Sequence, residues 1–293
     1  MKNLDVLKTY KIYIGGSFPR TESGRYYTPL NQKGEQLGNI CQSSRKDVRN
    51  SVVAARKAFG GWSERTAFNR GQILYRIAEM LQGRKSQFIE ELIFQGSSKT
   101  NAEKEVNRSI DRLVYYAGWC DKYMQILGSV NPVASSHFNF SIAEPTGVVG
   151  VVSDQTTSLI GLVSLIAPII AGGNTCVVLA SEGMPLCAVT FAEVLNASDV
   201  PGGVVNILTG SPSELIKPLT THMDVNAMAY SGDSTEVKAE LQQSSALNLK
   251  RISTYMKDWM KPNNQDLYLI ADFQEIKTTW HPIENIGGSS SVY

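Results

Sequence analysis

The chain has 293 residues, of which 42% are hydrophobic and 19% are charged, enough for one long domain or two modest ones with a sizeable core. Its 28 Lys and Arg residues against 27 Asp and Glu residues leave a formal charge of +1. This balance excludes a polybasic surface as the organising feature, so nucleic acid is not an expected partner. Four scattered Cys and three distant His residues predict neither a metal site nor a disulfide framework.

The first residues, MKNLDVLKTYKIYIGG, lack the apolar run of a secretory signal, so a cytoplasmic protein with reduced thiols is expected. The most apolar stretch is 159–180, and GGNT at 172–175 interrupts it. The two pieces are shorter than the roughly 20 residues that a bilayer requires. We therefore expect a buried helix followed by a strand, and no membrane association.

Short β-like pieces separated by Gly, Pro, Ser and Asn over 10–45 predict an antiparallel entry ribbon that starts with a strand at 10–14. From Asp47 apolar residues recur at helical spacing until Gly60 and Gly61, which predicts a helix that ends there. Three more helices are predicted at 66–81, 85–94 and 102–127.

A strand is predicted at 137–142, and then strands alternate with helices. The predicted strands cover 148–152, 176–179, 204–208 and 225–230, and the predicted helices cover 158–171, 185–196, 213–221 and 234–247. This spacing indicates βαβ units, hence an α/β fold with a Rossmann-like, doubly wound parallel sheet. After Leu249 we expect a polar helix and loop, extended pieces at 266–273 and 275–280, and a loose tail over 287–291.

Several motifs occur in an order that resembles the aldehyde dehydrogenase superfamily. They are YYAGWCDK (115–122), EPTGVVG (144–150), APIIAGGNT (167–175), PGGVVNILTG (201–210), HMDV (222–225) and FQEIKTT (273–279). The closest resemblance is to the non-catalytic second module of the family-16 aldehyde dehydrogenases. Here that module is interpreted as a free-standing chain.

The resemblance implies a division of the chain into three parts. Residues 1–130 would form the amino-terminal β ribbon and helices of a cofactor-type domain, and residues 146–250 its Rossmann-like layer. Segments 131–145 and 266–284 would form a β arm for oligomerisation. Edge strands of that kind pair through main-chain hydrogen bonds, so a homo-oligomer, or a hetero-oligomer with a complete aldehyde dehydrogenase, is implied.

The resemblance also shows what this chain lacks. In the family a catalytic domain supplies a nucleophilic Cys and a Glu base, whereas residues 248–272 stand in its place here and contain no Cys. Acyl-enzyme formation requires that nucleophile. Thr156 stands where the family has the Asn that binds the oxyanion, and its hydroxyl is a shorter, weaker substitute.

The cofactor-binding positions are also degraded. Candidate residues are Glu182, Gly210, Ser231 and Gly232. The Lys that accompanies this Glu in the family is replaced by Leu179, and Asp233 stands near the start of a helix where the family binds pyrophosphate. A carboxylate there opposes phosphate binding, so no NAD, or only weak NAD binding, is expected.

The thiols and imidazoles offer no replacement chemistry. Cys120, Cys176 and Cys187 are interpreted as packed structural residues, whereas Cys41 lies in a polar loop and could be exposed. Of the histidines, His222 is interpreted as structural, and His137 and His281 as surface residues, with a position at a subunit interface as the alternative.

We therefore expect an aldehyde dehydrogenase-like pseudoenzyme subunit that stabilises or regulates a complete NAD-dependent aldehyde dehydrogenase by oligomerisation. Two alternatives remain open. One is a stand-alone module that binds a nucleotide or another small ligand, supported mainly by Glu182. The other is residual aldehyde oxidation by this chain, which would require one of the four Cys residues as nucleophile.

Overall fold

The entry segment forms a small sheet of very short strands within residues 8–283, the part of the chain that the computed structural model describes. These strands are β1 (Thr9–Tyr10), β2 (Tyr26–Tyr27) and β3 (Asn39–Cys41). β2 pairs with β3 antiparallel, but β1 pairs with β3 in parallel, so the predicted antiparallel ribbon is right for one pair only. The predicted strand at 10–14 is also too long, because Tyr13 instead exchanges two main-chain hydrogen bonds, 2.9 and 2.8 Å, with Ile207. The predicted loose tail at 287–291 lies outside the described residues.

Five helices follow the entry segment, largely as predicted. They are α1 (Arg45–Ser63), α2 (Ala67–Gly83), α3 (Lys85–Phe94), α4 (Lys99–Ala117) and α5 (Tyr123–Leu127). α3 has its predicted bounds. α1 continues through Gly60 and Gly61, contrary to prediction, because Trp62 is buried and its indole N–H donates to the Ile170 carbonyl at 3.1 Å.

The single helix predicted at 102–127 is two helices. The chain turns after α4, and this turn places the Tyr123 hydroxyl 3.4 Å from the Gly172 carbonyl oxygen, to which it donates. α2 packs closely against the end of α4, because a Cβ at Gly71 would lie only 3.0 Å from the Ala117 carbonyl oxygen. The interruption therefore serves tertiary packing, which overrides the helical pattern.

The remaining strands form two further sheets. These strands are β4 (Ser129–Asn131), β5 (His137–Pro145), β6 (Val148–Val152), β7 (Thr175–Leu179), β8 (Val205–Leu208), β9 (Ala227–Ser231), β10 (Arg251–Tyr255) and β11 (Gln274–Pro282). In the central sheet the order is β10-β9-β6-β7-β8, and all neighbours are parallel. This confirms the predicted α/β, Rossmann-like sheet.

Helices cover both faces of the central sheet. Those that follow its strands are α6 (Ile160–Ala171), α7 (Leu186–Asn196), α8 (Pro212–Thr220) and α9 (Thr235–Ala246). In β6, Val149 and Val151 pack into one core while Val148 and Val152 pack into the other, as expected for a strand buried on both sides. All twelve residues of α6 are buried, which confirms the predicted buried helix. Within residues 8–283 no helix is long and apolar enough to cross a bilayer.

Two predictions beyond Leu249 are wrong. The passage predicted to be helix and loop contains β10, which extends the central sheet because β9 offers it a ladder from Arg251–Ala227 to Tyr255–Ser231. The piece predicted as extended at 266–273 instead contains the short helix α10 (Tyr268–Ala271). An edge strand with one open side carries a weak sequence pattern, and its partner's main chain decides its structure.

The arm sheet lies apart from the central sheet and has the order β11-β5-β4, antiparallel throughout. Its strands confirm the predictions at 137–142 and 275–280 and extend beyond them. β11 pairs with β5 over nine residues, from Gln274–Pro145 to Pro282–His137. The arm therefore presents one long edge strand, β11, and one short one, β4.

Candidate functional site

In an open parallel α/β sheet, ligands bind in the crevice outside the carboxyl ends of the strands. The predicted site residues all lie at the ends of strands of the central sheet or in the loops that follow them at this edge. The structure brings Glu182 and Gly210 together, places Ser231 and Gly232 at the end of β9, and puts Thr156 in the loop after β6. The candidate site is thus divided into three separate groups, each with its own partners.

Thr156 does not present its hydroxyl as a free donor. It donates to Asp154 Oδ1 and Oδ2 at 2.9 and 2.8 Å, and its main-chain N–H also donates to Oδ1 at 3.1 Å. Thr157 donates to the same carboxylate at 2.8 Å. The loop therefore holds a carboxylate where an oxyanion would need a donor, which opposes the binding of negative charge.

Glu182 and Gly210 lie in the neighbouring loops after β7 and β8, where Glu182 remains exposed. Ser211 Oγ donates to Glu182 Oε2 at 3.3 Å, and the Tyr27 hydroxyl donates to the Glu182 carbonyl at 3.1 Å. Gly210 has a φ of +131°, and a Cβ there would lie 3.0 Å from the main-chain nitrogen of Ser43. Close main-chain packing and the positive φ therefore explain why glycine occupies position 210.

Ser231 and Gly232 are occupied by the chain that follows them. The Trp259 indole N–H donates to Ser231 Oγ at 2.8 Å, and the Gly232 N–H donates to the Tyr255 carbonyl at 3.1 Å. A Cβ at Gly232 would clash with the Tyr230 hydroxyl oxygen. A phosphate approaching this turn would have to displace these groups.

The amino terminus of α9 carries its own negative charges. Ser234 caps the helix by accepting from Val237 N at 3.2 Å and donates to Glu236 Oε2 at 2.7 Å. That hydroxyl is the main reason why the pKa of Glu236 is lowered. Asp233 is exposed immediately before the cap. The helix dipole favours negative charge at the amino terminus of a helix, and these carboxylates already supply it where a pyrophosphate would otherwise bind.

Sequence reasoning missed Glu105, which caps α6 from within α4. Its Oε1 accepts from Leu159 N and Ile160 N at 2.8 and 3.1 Å. Burial raises the pKa of this carboxyl, and the main-chain donors oppose the rise. The only signal in the sequence is a Glu beside the apolar Ala102 and Val106 of α4, and its partners lie more than 50 residues away.

Replacing Glu105 by Ala is expected to lower the free energy of unfolding by about 1–3 kcal/mol, because two buried N–H groups lose their acceptor. Glu105→Gln keeps an acceptor oxygen and should lose less. Urea denaturation followed by circular dichroism compares the two variants. Equal losses in both would show that the cap does not depend on the acceptor.

The segment 256–273, which we call the covering segment, packs over the β9–β10 end of the sheet and onto α4 and α6. Trp259 is its central residue and is 1% exposed. Buried Arg112 donates to Ser164 Oγ at 2.5 Å and to the Trp259 and Lys261 carbonyls at 3.3 and 3.4 Å. Tyr255 donates to Asp272 Oδ2 at 2.6 Å. These contacts fix the segment on the surface that it covers.

The four cysteines all lie in the described part of the chain, away from solvent. Cys41, Cys120, Cys176 and Cys187 are all buried and free, so the expectation that Cys41 could be exposed is wrong. Burial raises the pKa of Cys120 to about 12 and raises those of Cys176 and Cys187 as well, which suppresses the reactive thiolate. Within residues 8–283 no cluster of three or more His, Cys, Asp or Glu side chains could hold a metal ion.

Comparisons with known proteins identify relatives that are similar to this chain over most of its length. The mouse cytosolic 10-formyltetrahydrofolate dehydrogenase is 36% identical over 265 residues, covering 86% of this chain and 29% of that protein. The putative aldehyde dehydrogenase DhaS of Bacillus subtilis is 31% identical over 250 residues, covering 84% of this chain and 50% of that protein. The chain thus spans half the length of these relatives or less.

Solved structures agree in fold. The NAD+ complex of an aldehyde dehydrogenase from Bacillus cereus superimposes with a TM-score of 0.80 at 26% identity, covering 84% of this chain and 50% of that one. PnpE from Pseudomonas sp. WBC-3 gives 0.81 at 28% identity, again over 84% of this chain and 50% of that one. Residues 19–256 match the aldehyde dehydrogenase family. The chain belongs to that family.

Proposed function

We propose that this chain is a non-catalytic aldehyde dehydrogenase-type subunit, acting in the cytoplasm, which assembles with a complete NAD-dependent aldehyde dehydrogenase and stabilises or regulates it. The observation that carries the proposal is the covered end of β9: Ser231 is buried and hydrogen-bonded to Trp259, and the Gly232 N–H donates to Tyr255, so these groups are already bound by the chain itself. Binding of NAD by the chain would accordingly be absent or weak.

Electrostatics at the crevice support this proposal. Asp154 and Asp233 place carboxylates in two of the three groups of the candidate site. A carboxylate about 4 Å from a phosphate opposes it by about 1 kcal/mol in water and by about 4 kcal/mol at an effective dielectric constant of 20. The usual attraction between a dinucleotide phosphate and a helix amino terminus is therefore offset at this edge.

The covering segment supports the proposal that this chain is non-catalytic. By the family resemblance, it stands where a catalytic domain would join the cofactor-type domain. Its Trp259, Leu269, Ile270 and Phe273 are buried, so the surface beneath it is covered by residues of this chain. If the catalytic domain were absent and no such segment took its place, the surface where it would join would expose a large apolar patch.

The arm supports assembly. Val130 and Phe140 are paired across β4 and β5 and therefore share a face, on which Phe138 also lies. Val130 is 69% and Phe138 46% exposed. A three-stranded sheet with exposed apolar side chains and a long edge strand is suited to pairing with another subunit.

The test is co-expression with a tagged complete aldehyde dehydrogenase from the same organism, followed by native mass spectrometry of the purified material. We expect a mixed oligomer for the unchanged chain. Val130→Glu with Phe138→Glu should abolish it, because two charges would be buried in the contact.

Phe68→Glu with Tyr75→Glu is the matched control, since both residues are exposed on α2, at 69% and 52%, and lie outside the arm. This pair should leave the oligomer intact. A chain that is monomeric and never co-purifies would refute the proposed role, and equal behaviour of the two double variants would refute the arm as the contact surface.

A further inference from the structure

A groove with a volume of about 480 Å³ lies between α1 and the end of α8, and its lining includes none of the crevice residues. Arg45, Lys46 and Arg49 of α1 line one wall, and Thr221 and His222 line the other. The volume is within the range of small-molecule sites.

The positive charges of this groove are only partly compensated. Lys46 forms an ion pair with Glu22. Among residues 8–283 no carboxylate lies within 4.0 Å of the guanidinium groups of Arg45 and Arg49. The groove therefore keeps the charge of both arginines.

This placement of charge opposes the stability of the helix. Arg45 and Arg49 are four residues apart, so their like charges repel along one face of α1. Arg45 also lies in the first turn of α1, where the helix dipole disfavours cations. Their positions are therefore not explained by the folding of α1, and an anionic ligand would relieve both effects.

The opposite wall adds a donor and further positive potential. His222 Nδ1 accepts from Asp224 N at 3.2 Å, which leaves Nε2 as the ring nitrogen available to a ligand. Lys250 Nζ donates to the His222 carbonyl at 2.6 Å. Asp224 is the carboxylate that faces this imidazole, and it also lies 3.8 Å from Arg56.

We propose that this groove binds a small molecule carrying a terminal phosphate in its dianionic form. Two guanidinium groups match such a phosphate in charge and in bidentate geometry, and the His222 ring supplies a third donor. The phosphates of a dinucleotide are diesters with one charge each, so this ligand class differs from that of the crevice. The inference is independent of the proposed assembly role.

The test is a calorimetric titration of the purified chain with glycerol 3-phosphate at low ionic strength, with glycerol as the uncharged comparison. We expect saturable binding with a sub-millimolar Kd for the phosphate and no binding of glycerol. Arg45→Glu with Arg49→Glu should weaken the phosphate binding at least tenfold. The same pair should not lower the thermal midpoint, because carboxylates suit the start of α1, so a loss of binding would not reflect unfolding.

Lys57→Glu with Lys104→Glu changes the net charge equally at two exposed positions outside the groove and should retain the affinity. Equal losses in the two double variants would overturn the proposal, because the effect would then be one of overall charge. So would the absence of saturable heat up to 10 mM ligand. Binding only to phosphatidylcholine vesicles that contain phosphatidic acid would also overturn it, since the source would then be a lipid surface.

Discussion

Replacing Trp259 by alanine is expected to lower the free energy of unfolding by about 3–5 kcal/mol, the range for loss of a large buried aromatic side chain. Trp259 is 1% exposed, lies edge-on to Tyr255 with ring centroids 6.0 Å apart, and donates to Ser231. The Arg112 guanidinium also lies 5.9 Å from its ring centroid. Guanidinium chloride unfolding followed by circular dichroism measures the change.

Two comparisons make this prediction specific. Trp259→Phe keeps an aromatic ring but loses the hydrogen bond to Ser231, and should lose about 1–3 kcal/mol, less than the alanine variant. Met256→Ala removes a neighbouring side chain that is 74% exposed and should change stability by no more than about 0.5 kcal/mol. A loss below about 1 kcal/mol for Trp259→Ala would mean that the covering segment is not an integral part of the fold.

The parts of the fold that sequence patterns predicted are those in which local and tertiary preferences agree. β6 and α3 have their predicted bounds, because an apolar run and a helical period each match the burial of the element. β10 was missed because RISTY at 251–255 is half polar. It becomes a strand only because β9 is beside it.

The candidate site was predictable only at the level of residue types. The positions of Glu182, Ser231 and Asp233 followed from the family pattern, but their partners did not. The contact between Trp259 and Ser231 joins residues 28 apart, and the one between Glu105 and Leu159 joins residues 54 apart. Such contacts depend on how the elements pack, which residue spacing does not encode.

The chain is expected to bind NAD with a Kd weaker than about 1 mM, that is, with less than about 4 kcal/mol of binding free energy. Three features act together to produce this result. Carboxylates occupy the loops after β6 and β9, Ser231 is buried and hydrogen-bonded to Trp259, and the covering segment packs at the end of β9. The carboxylates act at two loops of the crevice, and the other two features act together at the end of β9.

The most direct test of the expected loss of NAD binding is a calorimetric titration of the purified chain with NAD at about 0.15 M salt, where the Debye length is about 8 Å and long-range charge effects are screened. A complete aldehyde dehydrogenase titrated in the same buffer is the positive control. We predict no saturable heat for this chain up to 1 mM NAD, while the control binds. Saturable binding with a micromolar Kd would contradict the account.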